Sequence, residues 1–259
     1  MPGLVAADFK RIQFTPDLMP SDVLGTSVFN PKTTSFEYKK GPVFSNLVLI
    51  DEVNRAPAKT QASLFEVMEE KQISNDGTTY ELEDLFMVLA TQNPIEQEGT
   101  YRLPEAQLDR FIFKITVDYP ENVDENNILM MANENANHHQ LSFIQSVISK
   151  DEIVEFRSHL QSIVMKDSLI DYIVRLIGHT RDHHSLYLGA SPRASIDLMK
   201  ASKAYAAIQG RDFVSPEDIK RLFRPVVEHR IMLSPEAELQ GISIKEVTEQ
   251  ILQQVKVPK

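Results

Sequence analysis

The sequence predicts an α/β half followed by an all-α half, and three observations lead to this fold class. Short apolar runs, of the kind found in strands buried on both faces, occur before residue 120. One of them, Leu47 to Ile50, runs directly into two carboxylates. After Tyr119-Pro120 the chain becomes a series of segments with helical periodicity and helix start signals. We therefore predict two domains, residues 1–120 and residues 121–259.

The first half is predicted to alternate strands with turns and a helix. The predicted strands are Phe9 to Phe14, Leu47 to Ile50, Leu85 to Ala90 and Phe111 to Val117. Residues 57–70 are predicted to be helical, because Leu64, Val67 and Met68 give this segment an apolar side. A hairpin is predicted around Asp76-Gly77, since this pair supplies the positive φ angles that a tight turn needs.

The second half is predicted to be helical throughout. Ser215-Pro216 and Ser191-Pro192 each place a capping serine before a proline at the first helical position, and Gly210 is a helix stop signal. The predicted helices are Val123 to Ala136, Asp151 to Ile163, Ser168 to Thr180, Pro192 to Gln209, Pro216 to Phe223 and Ile244 to Val255.

The composition argues against several classes of function. The 259 residues include 37 acidic and 27 basic side chains, and the net charge of −10 argues against a general nucleic-acid binder and against docking on anionic lipid. The absence of cysteine excludes disulfides, thiolate metal sites and a Cys nucleophile. No apolar run approaches the ~20 residues that span a bilayer, and the amino end lacks the pattern of a signal peptide. We expect a cytoplasmic protein.

The most informative segment is residues 46–55, NLVLIDEVNR. Burying Asp51 and Glu52 together would be costly, so both should emerge at the carboxyl end of the strand, where open α/β sheets bind ligands. In nucleotide hydrolases the first such carboxylate holds magnesium, and the second orients or deprotonates the attacking water. The alternative is a strand that ends in an ordinary acidic turn. Taken alone, TQNP at residues 91–94 is more typical of a turn, but if the strand that precedes Asn93 lies beside the first, the Asn93 amide could reach the same water or the γ-phosphate.

The histidines give a weaker signal. His179, His183 and His184 lie near Asp182 at spacings that could hold a metal. No Glu or Cys stands at a supporting spacing, so solvated surface histidines are the simpler interpretation.

Several long strings together resemble the MoxR family of AAA+ ATPases. They are DEVNRAPAKTQASLFEVMEE and FMVLATQNPIEQEGTYRLPEAQLDRF, with RIQFTPDLMPSDVLGT upstream and LGASPRAS, FVSPEDIK and HRIMLSPEAE downstream in the same order. The resemblance covers nearly the whole chain. It implies an AAA+ parallel-sheet core over residues 1–120 and a helical lid domain over residues 121–259.

The resemblance also implies roles for individual residues. Asp51 and Glu52 fall on the Walker B carboxylates, Asn93 on sensor 1, Arg110 on the arginine that reaches a neighbouring subunit's nucleotide, and Arg193 on the sensor-2 arginine of the lid. Such an arginine finger neutralises charge that develops in phosphoryl transfer. Without the resemblance, the spacing favours a plain surface arginine at Arg110. For Arg193, an arginine that pairs with a nearby carboxylate is as consistent with the spacing as a phosphate contact.

The implied cofactors are ATP and Mg²⁺. The implied assembly is a homo-oligomeric, hexameric ring that remodels or matures partner proteins, among them von Willebrand factor A domain proteins. The hairpin around Asp76-Gly77 matches an insertion within the second helix that faces the pore of such rings. One local departure is Arg102, which stands where the family pattern carries proline.

A larger departure concerns the phosphate-binding loop. None of the 9 glycines lies in a G-x-x-x-x-G-K-[ST] pattern, and none is followed by lysine. The family carries this Walker A loop upstream of RIQFTPD, and its central strand belongs to a sheet of order 5-1-4-3-2. We therefore expect an amino-terminally truncated core, in which Phe111 to Val117 lacks one neighbouring strand and an apolar edge is bare.

These observations predict a MoxR-type AAA+ ATPase module whose activity is impaired by the missing loop. The alternative is a non-catalytic assembly protein of the same family that joins or caps rings. A nucleic-acid motor of the same clade fits the acidic charge poorly.

Overall fold

The computed structural model describes residues 4–92, 101, 103–133 and 145–258. The strands within this part are β1 (Val5–Ala6), β2 (Phe9–Gln13), β3 (Gly25–Asn30), β4 (Ser35–Lys40), β5 (Leu47–Asp51), β6 (Gln72–Asn75), β7 (Thr78–Glu81), β8 (Met87–Ala90), β9 (Ile148–Ser149), β10 (Leu186–Leu188) and β11 (Met232–Leu233). The helices are α1 (Pro20–Leu24), α2 (Ala58–Glu70), α3 (Glu105–Leu108), α4 (Asn122–Asn133), α5 (Lys150–His159), α6 (Asp167–Asp182), α7 (Pro192–Ile208), α8 (Pro216–Val227), α9 (Pro235–Leu239) and α10 (Ile244–Gln254).

A three-stranded parallel sheet of order β2-β5-β8 forms the centre of the first half. Its middle strand β5 is the predicted apolar run, and Val48 and Ile50 are fully buried in it. Hydrogen bonding to a strand on each side leaves β5 no open edge, which suits a continuous apolar sequence. The structure thus confirms the α/β character of this half and the adjacency of the strands that precede Thr91 and Glu52.

Helix α2 covers this sheet and completes the first core. Leu64, Phe65 and Val67 are buried in the same hydrophobic cluster as the strand residues. Two polar side chains are also buried on α2, and both find backbone partners: Thr60 Oγ1 donates to Leu18 O at 2.7 Å, and Gln61 Nε2 donates to Val53 O at 3.2 Å. The second bond ties the start of α2 to the residue that follows Glu52.

The prediction of a strand at Phe111 to Val117 is wrong. These residues form no strand, and Ile115 and Val117 are 79% and 88% exposed. A strand forms only where a neighbour pairs with its backbone N–H and C=O groups. The outer edge of β8 pairs with no strand in the part of the chain that the structure describes, and residues 111–117 do not pair with it. The exposed edge leaves β8 only partly buried, with Met87 49% exposed.

Within the described residues, the first half contains two β-hairpins, of which the sequence predicts only one. The predicted hairpin is confirmed as β6 and β7, joined at Asp76 and Gly77, which both have positive φ. It follows α2, however, so it is not an insertion within a helix. The hairpin that interrupts a helical segment is β3–β4, which the sequence reasoning missed. It leaves the chain between α1 and a 3-10 turn at Pro42–Phe44, and Gly41 N donates to Leu24 O at 2.9 Å across its base.

The second half has its own core, built mainly by α6, α7, α8 and α10. The predicted start of α8 is confirmed, because Asp218 accepts from both the backbone N and the hydroxyl of Ser215. Ser191 likewise caps α7 and accepts from the backbone N of Arg193 at 3.2 Å. Helix α4 differs, since it has no buried residue. Among the described residues, none of the helices combines the length and the apolar character needed to cross a bilayer.

Candidate functional site

The Asp51-Glu52 pair lies where β5 leaves the sheet. Asp51 is the last strand residue, and Glu52 adopts a left-handed backbone conformation with φ 54° and ψ 53°. Such a conformation is costly for a residue with a Cβ and persists only where its surroundings fix it. Thr91, which directly follows β8, does so: its Oγ1 accepts from the backbone N of Glu52 at 2.9 Å, and its O accepts from Val53 N at 2.9 Å.

Both carboxylates are also held by β2. Arg11 Nε lies 2.5 Å from Asp51 Oδ2, and Gln13 Nε2 donates to Glu52 Oε2 at 2.9 Å. Arg55 adds a contact of 3.0 Å to the same Glu52 oxygen. The side chains are 16% and 28% exposed, so two negative charges stand partly buried at one edge of the sheet with matching cations and amide donors. An acidic turn in solvent would not need this support.

The carboxylates fit magnesium in a limited way. Mg²⁺ is usually bound through one or two carboxylates together with substrate phosphates and water, and Asp51 and Glu52 supply that number. Within the described ranges, no group of three or more His, Cys, Asp or Glu residues could hold a metal by itself. Asp51 and Glu52 therefore fit the metal side of a nucleotide site.

The two arginines singled out from the sequence lie together at the other end of α2. Arg110 Nη2 lies 2.8 Å from Glu69 Oε2, and Arg193 Nη2 lies 3.2 Å from Glu69 Oε1. Arg110 Nη1 also donates to the carbonyl of Phe65. At about 1.5 Å per residue, Glu69 is roughly 16 Å along α2 from Ala58, where the helix leaves the carboxylate pair. Arg193 therefore has the carboxylate partner that spacing alone allowed.

A buried arginine joins the two halves beside this cluster. The side chain of Arg230 is 1% exposed, and its Nη2 donates to Asp197 Oδ2 at 2.5 Å and to Phe111 O at 2.7 Å. Its Nε stands 3.1 Å from Asp109 Oδ1, as an ion pair without hydrogen-bond alignment. Arg230 lies in the string HRIMLSPEAE, but the sequence does not identify it as a functional residue, because no local pattern marks a buried cation.

His229 strengthens the same junction. Its Nε2 lies 2.8 Å from Phe111 O. Burial lowers the pKa of His229, the hydrogen bond to Phe111 opposes this effect, and the nearby charge of Arg230 adds to it. His229 is therefore a neutral, buried histidine at neutral pH, and it joins the residues after α8 to the segment that follows Arg110.

The remaining candidate residues are Asn93, Arg102 and the three histidines, and the structure describes only the histidines. Asn93 and Arg102 lie outside the described residues, so their predicted roles stay predictions. His179 and His184 are exposed as expected, but the prediction of a solvated side chain is wrong for His183, which is buried and stacks on His184 with ring centroids 4.7 Å apart. His183 is the C-cap residue of α6, a helix of the second core.

Comparison with known proteins places the chain in a family. A family model described as "ATPase family associated with various cellular activities (AAA)" matches residues 1–113, and one described as "AAA lid domain" matches residues 178–255. The uncharacterized protein YeaC of Bacillus subtilis is 48% identical over 254 residues, which cover 98% of this chain and 78% of YeaC.

Two further proteins are similar over almost the whole chain. The chaperone MoxR1 of Mycobacterium tuberculosis is 38% identical over 265 residues, covering 99% of this chain and 69% of MoxR1. A crystal structure of a protein from Cytophaga hutchinsonii superimposes with a TM-score of 0.89 at 44% identity, covering 99% of this chain and 79% of that one. The family match, these identities and the observed sheet and lid agree. The chain belongs to the MoxR family of AAA ATPases.

Proposed function

We propose that this chain is the ATP-hydrolysing module of a MoxR-type machine that couples ATP binding and hydrolysis to the remodelling or maturation of partner proteins. The observation that carries the proposal is the position of Asp51 and Glu52 at the carboxyl edge of the central strand. There Arg11 and Gln13 hold the two carboxylates, and Thr91 holds the backbone of Glu52. The name of the relative MoxR1, a chaperone, supports the remodelling part.

The geometry of the edge supports the roles that we propose for Asp51 and Glu52. Asp51 would hold Mg²⁺, which when bound neutralises phosphate charge. The backbone of Glu52 is left-handed, and the hydrogen bond that Gln13 donates holds its carboxylate, which supports a role in positioning or deprotonating water. We assign Asn93 to the same water by family resemblance, and Arg110 and Arg193 to phosphate recognition.

We further propose that the chain works in a homo-oligomeric ring, with six copies and a von Willebrand factor A domain protein as partner. Ring assembly would bring Arg110 of one copy to the nucleotide of the next. The division into a core of residues 1–120 and a lid of residues 121–259 is supported by two separate hydrophobic clusters, which lie on either side of residue 120. The cytoplasmic location remains a prediction.

A polypeptide of these 259 residues is proposed to bind MgATP weakly and to hydrolyse it slowly, because its sequence contains no phosphate-cradling loop. Isothermal titration of this polypeptide with ATP and magnesium tests the point. A dissociation constant in the millimolar range is expected, and micromolar affinity would overturn the proposal.

The second candidate function is non-catalytic assembly. It is favoured by one observation: Arg110 and Arg193 are engaged by Glu69 of their own chain. Light scattering after size-exclusion chromatography, with turnover measured on the same sample, separates the two functions. Rings that form without ATP and show no turnover support assembly, whereas nucleotide-dependent rings with turnover support the ATPase.

A salt-dependent DNA titration should show no binding, in keeping with the net charge of −10.

A further inference from the structure

We infer that Ser191 is a positioning residue, whose hydroxyl couples the lid helix that carries Arg193 to the core segment that carries Arg110. The inference deepens the proposed function and rests on it for its meaning in a ring. There Arg193 would act on the nucleotide of its own chain and Arg110 on that of the next copy. A coupling between the two segments would then let one site influence its neighbour.

The hydroxyl of Ser191 makes one hydrogen bond within the lid and one to the core. It accepts from the backbone N of Arg193 at 3.2 Å and so caps α7, and it donates to Asp109 Oδ2 at 2.8 Å. A hydroxyl carries one proton and two lone pairs, so both bonds can form at once. A helix cap needs only the first of them. The second joins residues 82 positions apart, and its acceptor directly precedes Arg110.

The other oxygen of the Asp109 carboxylate is also held from the lid. Its Oδ1 lies 3.1 Å from Nε of the buried Arg230, and Arg230 Nη2 donates to the backbone carbonyl of Asp109 at 3.1 Å. The same Nη2 donates to Asp197 Oδ2 on α7 at 2.5 Å. Asp109 thus has a lid partner at each carboxylate oxygen and at its carbonyl, and these contacts position the next residue, Arg110.

Ser191 is itself fixed to the body of the lid. The preceding residue, Ala190, donates from its backbone N to Thr180 Oγ1 at 2.9 Å, and its carbonyl accepts from Arg181 Nε at 2.9 Å. Both partners lie on α6. A displacement of the lid therefore carries Ser191 with it, and the hydrogen bond to Asp109 passes that displacement to the core.

The test compares two replacements of Ser191 that have nearly the same shape. Asparagine and aspartate both cap helices well, so Ser191→Asn and Ser191→Asp each keep an acceptor for the start of α7. Asparagine also carries a donor for Asp109, whereas aspartate places a second negative charge against it. The pair of variants therefore separates the coupling from the cap.

The readout is amide hydrogen exchange of the full chain, followed by NMR at Arg110 and Phe111. Their backbone N–H groups donate to Gln107 O and Leu108 O in the core. Ser191→Asp should speed exchange at these two amides about tenfold, the scale of one hydrogen bond to a charged group, and Ser191→Asn should stay close to wild type. Wild-type rates in Ser191→Asp, or equally fast exchange in both variants, would overturn the inference.

Ser243→Asp is the control for a charge added at a helix cap within the lid. The hydroxyl of Ser243 accepts from the backbone N of Glu246 and donates to its Oε2, so aspartate again meets a carboxylate. This variant should leave exchange at Arg110 and Phe111 unchanged. Faster exchange there would show that any weakened lid has the same effect, and it would contradict coupling through Ser191.

A measurement on the wild-type chain avoids the variants, in case one of them folds poorly. At urea concentrations below the unfolding transition, the amides of Arg110 and Phe111 should exchange through the same opening as those of Asp197 and Leu198 on α7. All four should then show one dependence on urea, and different dependences for the two segments would overturn the inference. These readouts need no ATP hydrolysis, so a failure of the ATPase proposal appears only in turnover and remains distinct.

Discussion

Arg230 and Asp109 form an ion pair of 3.1 Å, in which the arginine side chain is 1% exposed and comes from the lid while the aspartate comes from the core. Asp197 on α7 completes the pairing with a contact of 2.5 Å to the same guanidinium. Two carboxylates therefore depend on one buried cation. Because Asp109 directly precedes Arg110, this junction also positions Arg110.

Removal of this cation should be strongly destabilising. Arg230→Gln leaves two carboxylates without their charge partner, and we expect the free energy of unfolding to fall by about 3–5 kcal/mol. Urea unfolding followed by circular dichroism measures the change. The control is Arg224→Gln, which breaks the 3.1 Å pair of an arginine that is 44% exposed, and it should cost no more than about 1 kcal/mol. Equal losses in the two variants would contradict the structural account.

His229 should make stability depend on pH. Burial holds its pKa below the ordinary value of about 6.5, so the unfolded chain takes up a proton at a higher pH than the folded chain. Stability is then fully present above pH 6.5 and is lost as the pH falls from there through the folded pKa. His229→Asn should flatten the curve between pH 7 and pH 5, and His159→Asn, at an exposed position, is the control for replacing a histidine by asparagine.

The carboxylates whose pKa is lowered, such as Asp218, lose their contribution in a more acidic window, so they do not mask the histidine effect. His183 adds to the same slope, because burial lowers its pKa too. A His229→Asn curve as steep as that of the wild type would show that His229 is not the buried neutral group described.

Position 25, at the base of the β3–β4 hairpin, should tolerate only glycine. Gly25 has φ 113°, and an added Cβ would lie 2.3 Å from Lys39 O and 2.6 Å from Gly41 N. Both obstacles are backbone atoms, so Gly25→Ala should cost about 3 kcal/mol. Gly77→Ala is the matched control, since its φ is 77° but nothing lies within 4 Å of the added Cβ, and it should cost about 1 kcal/mol. Thermal unfolding compares the two, and a smaller loss at Gly25 would contradict the hairpin geometry.

Much of the carboxylate edge could be predicted from sequence, because the signal is local. A wholly apolar run that enters two acids permits few structures other than a buried strand with its charges at the end, and Asp51 and Glu52 lie there. The cap at Ser215 was predictable for the same reason, since Asp218 stands three residues on. In each case the interacting groups are neighbours in the chain.

The ion pairs of Glu69 and the contacts of Arg230 could not be predicted in the same way. Glu69 and Arg193 are 124 residues apart, and Arg230 and Phe111 are 119 apart, so no local pattern relates them. The wrong strand at Phe111 to Val117 has a related cause, because strand propensity is local whereas strand pairing depends on a neighbour elsewhere in the chain. His183 was assigned to the surface because its burial depends on how α6 packs and not on its spacing.

The central claim is that Glu52 serves ATP hydrolysis, and the steady-state release of labelled phosphate from radiolabelled ATP at millimolar MgATP tests it most directly. The wild-type chain, Glu52→Gln and Glu70→Gln would be compared at equal concentrations, with folding checked by circular dichroism. We expect slow phosphate release by the wild type and by Glu70→Gln, and a rate at least about a hundredfold lower for Glu52→Gln, the usual effect of removing a general base. Phosphate release at the same rate by wild type and Glu52→Gln would contradict the assignment.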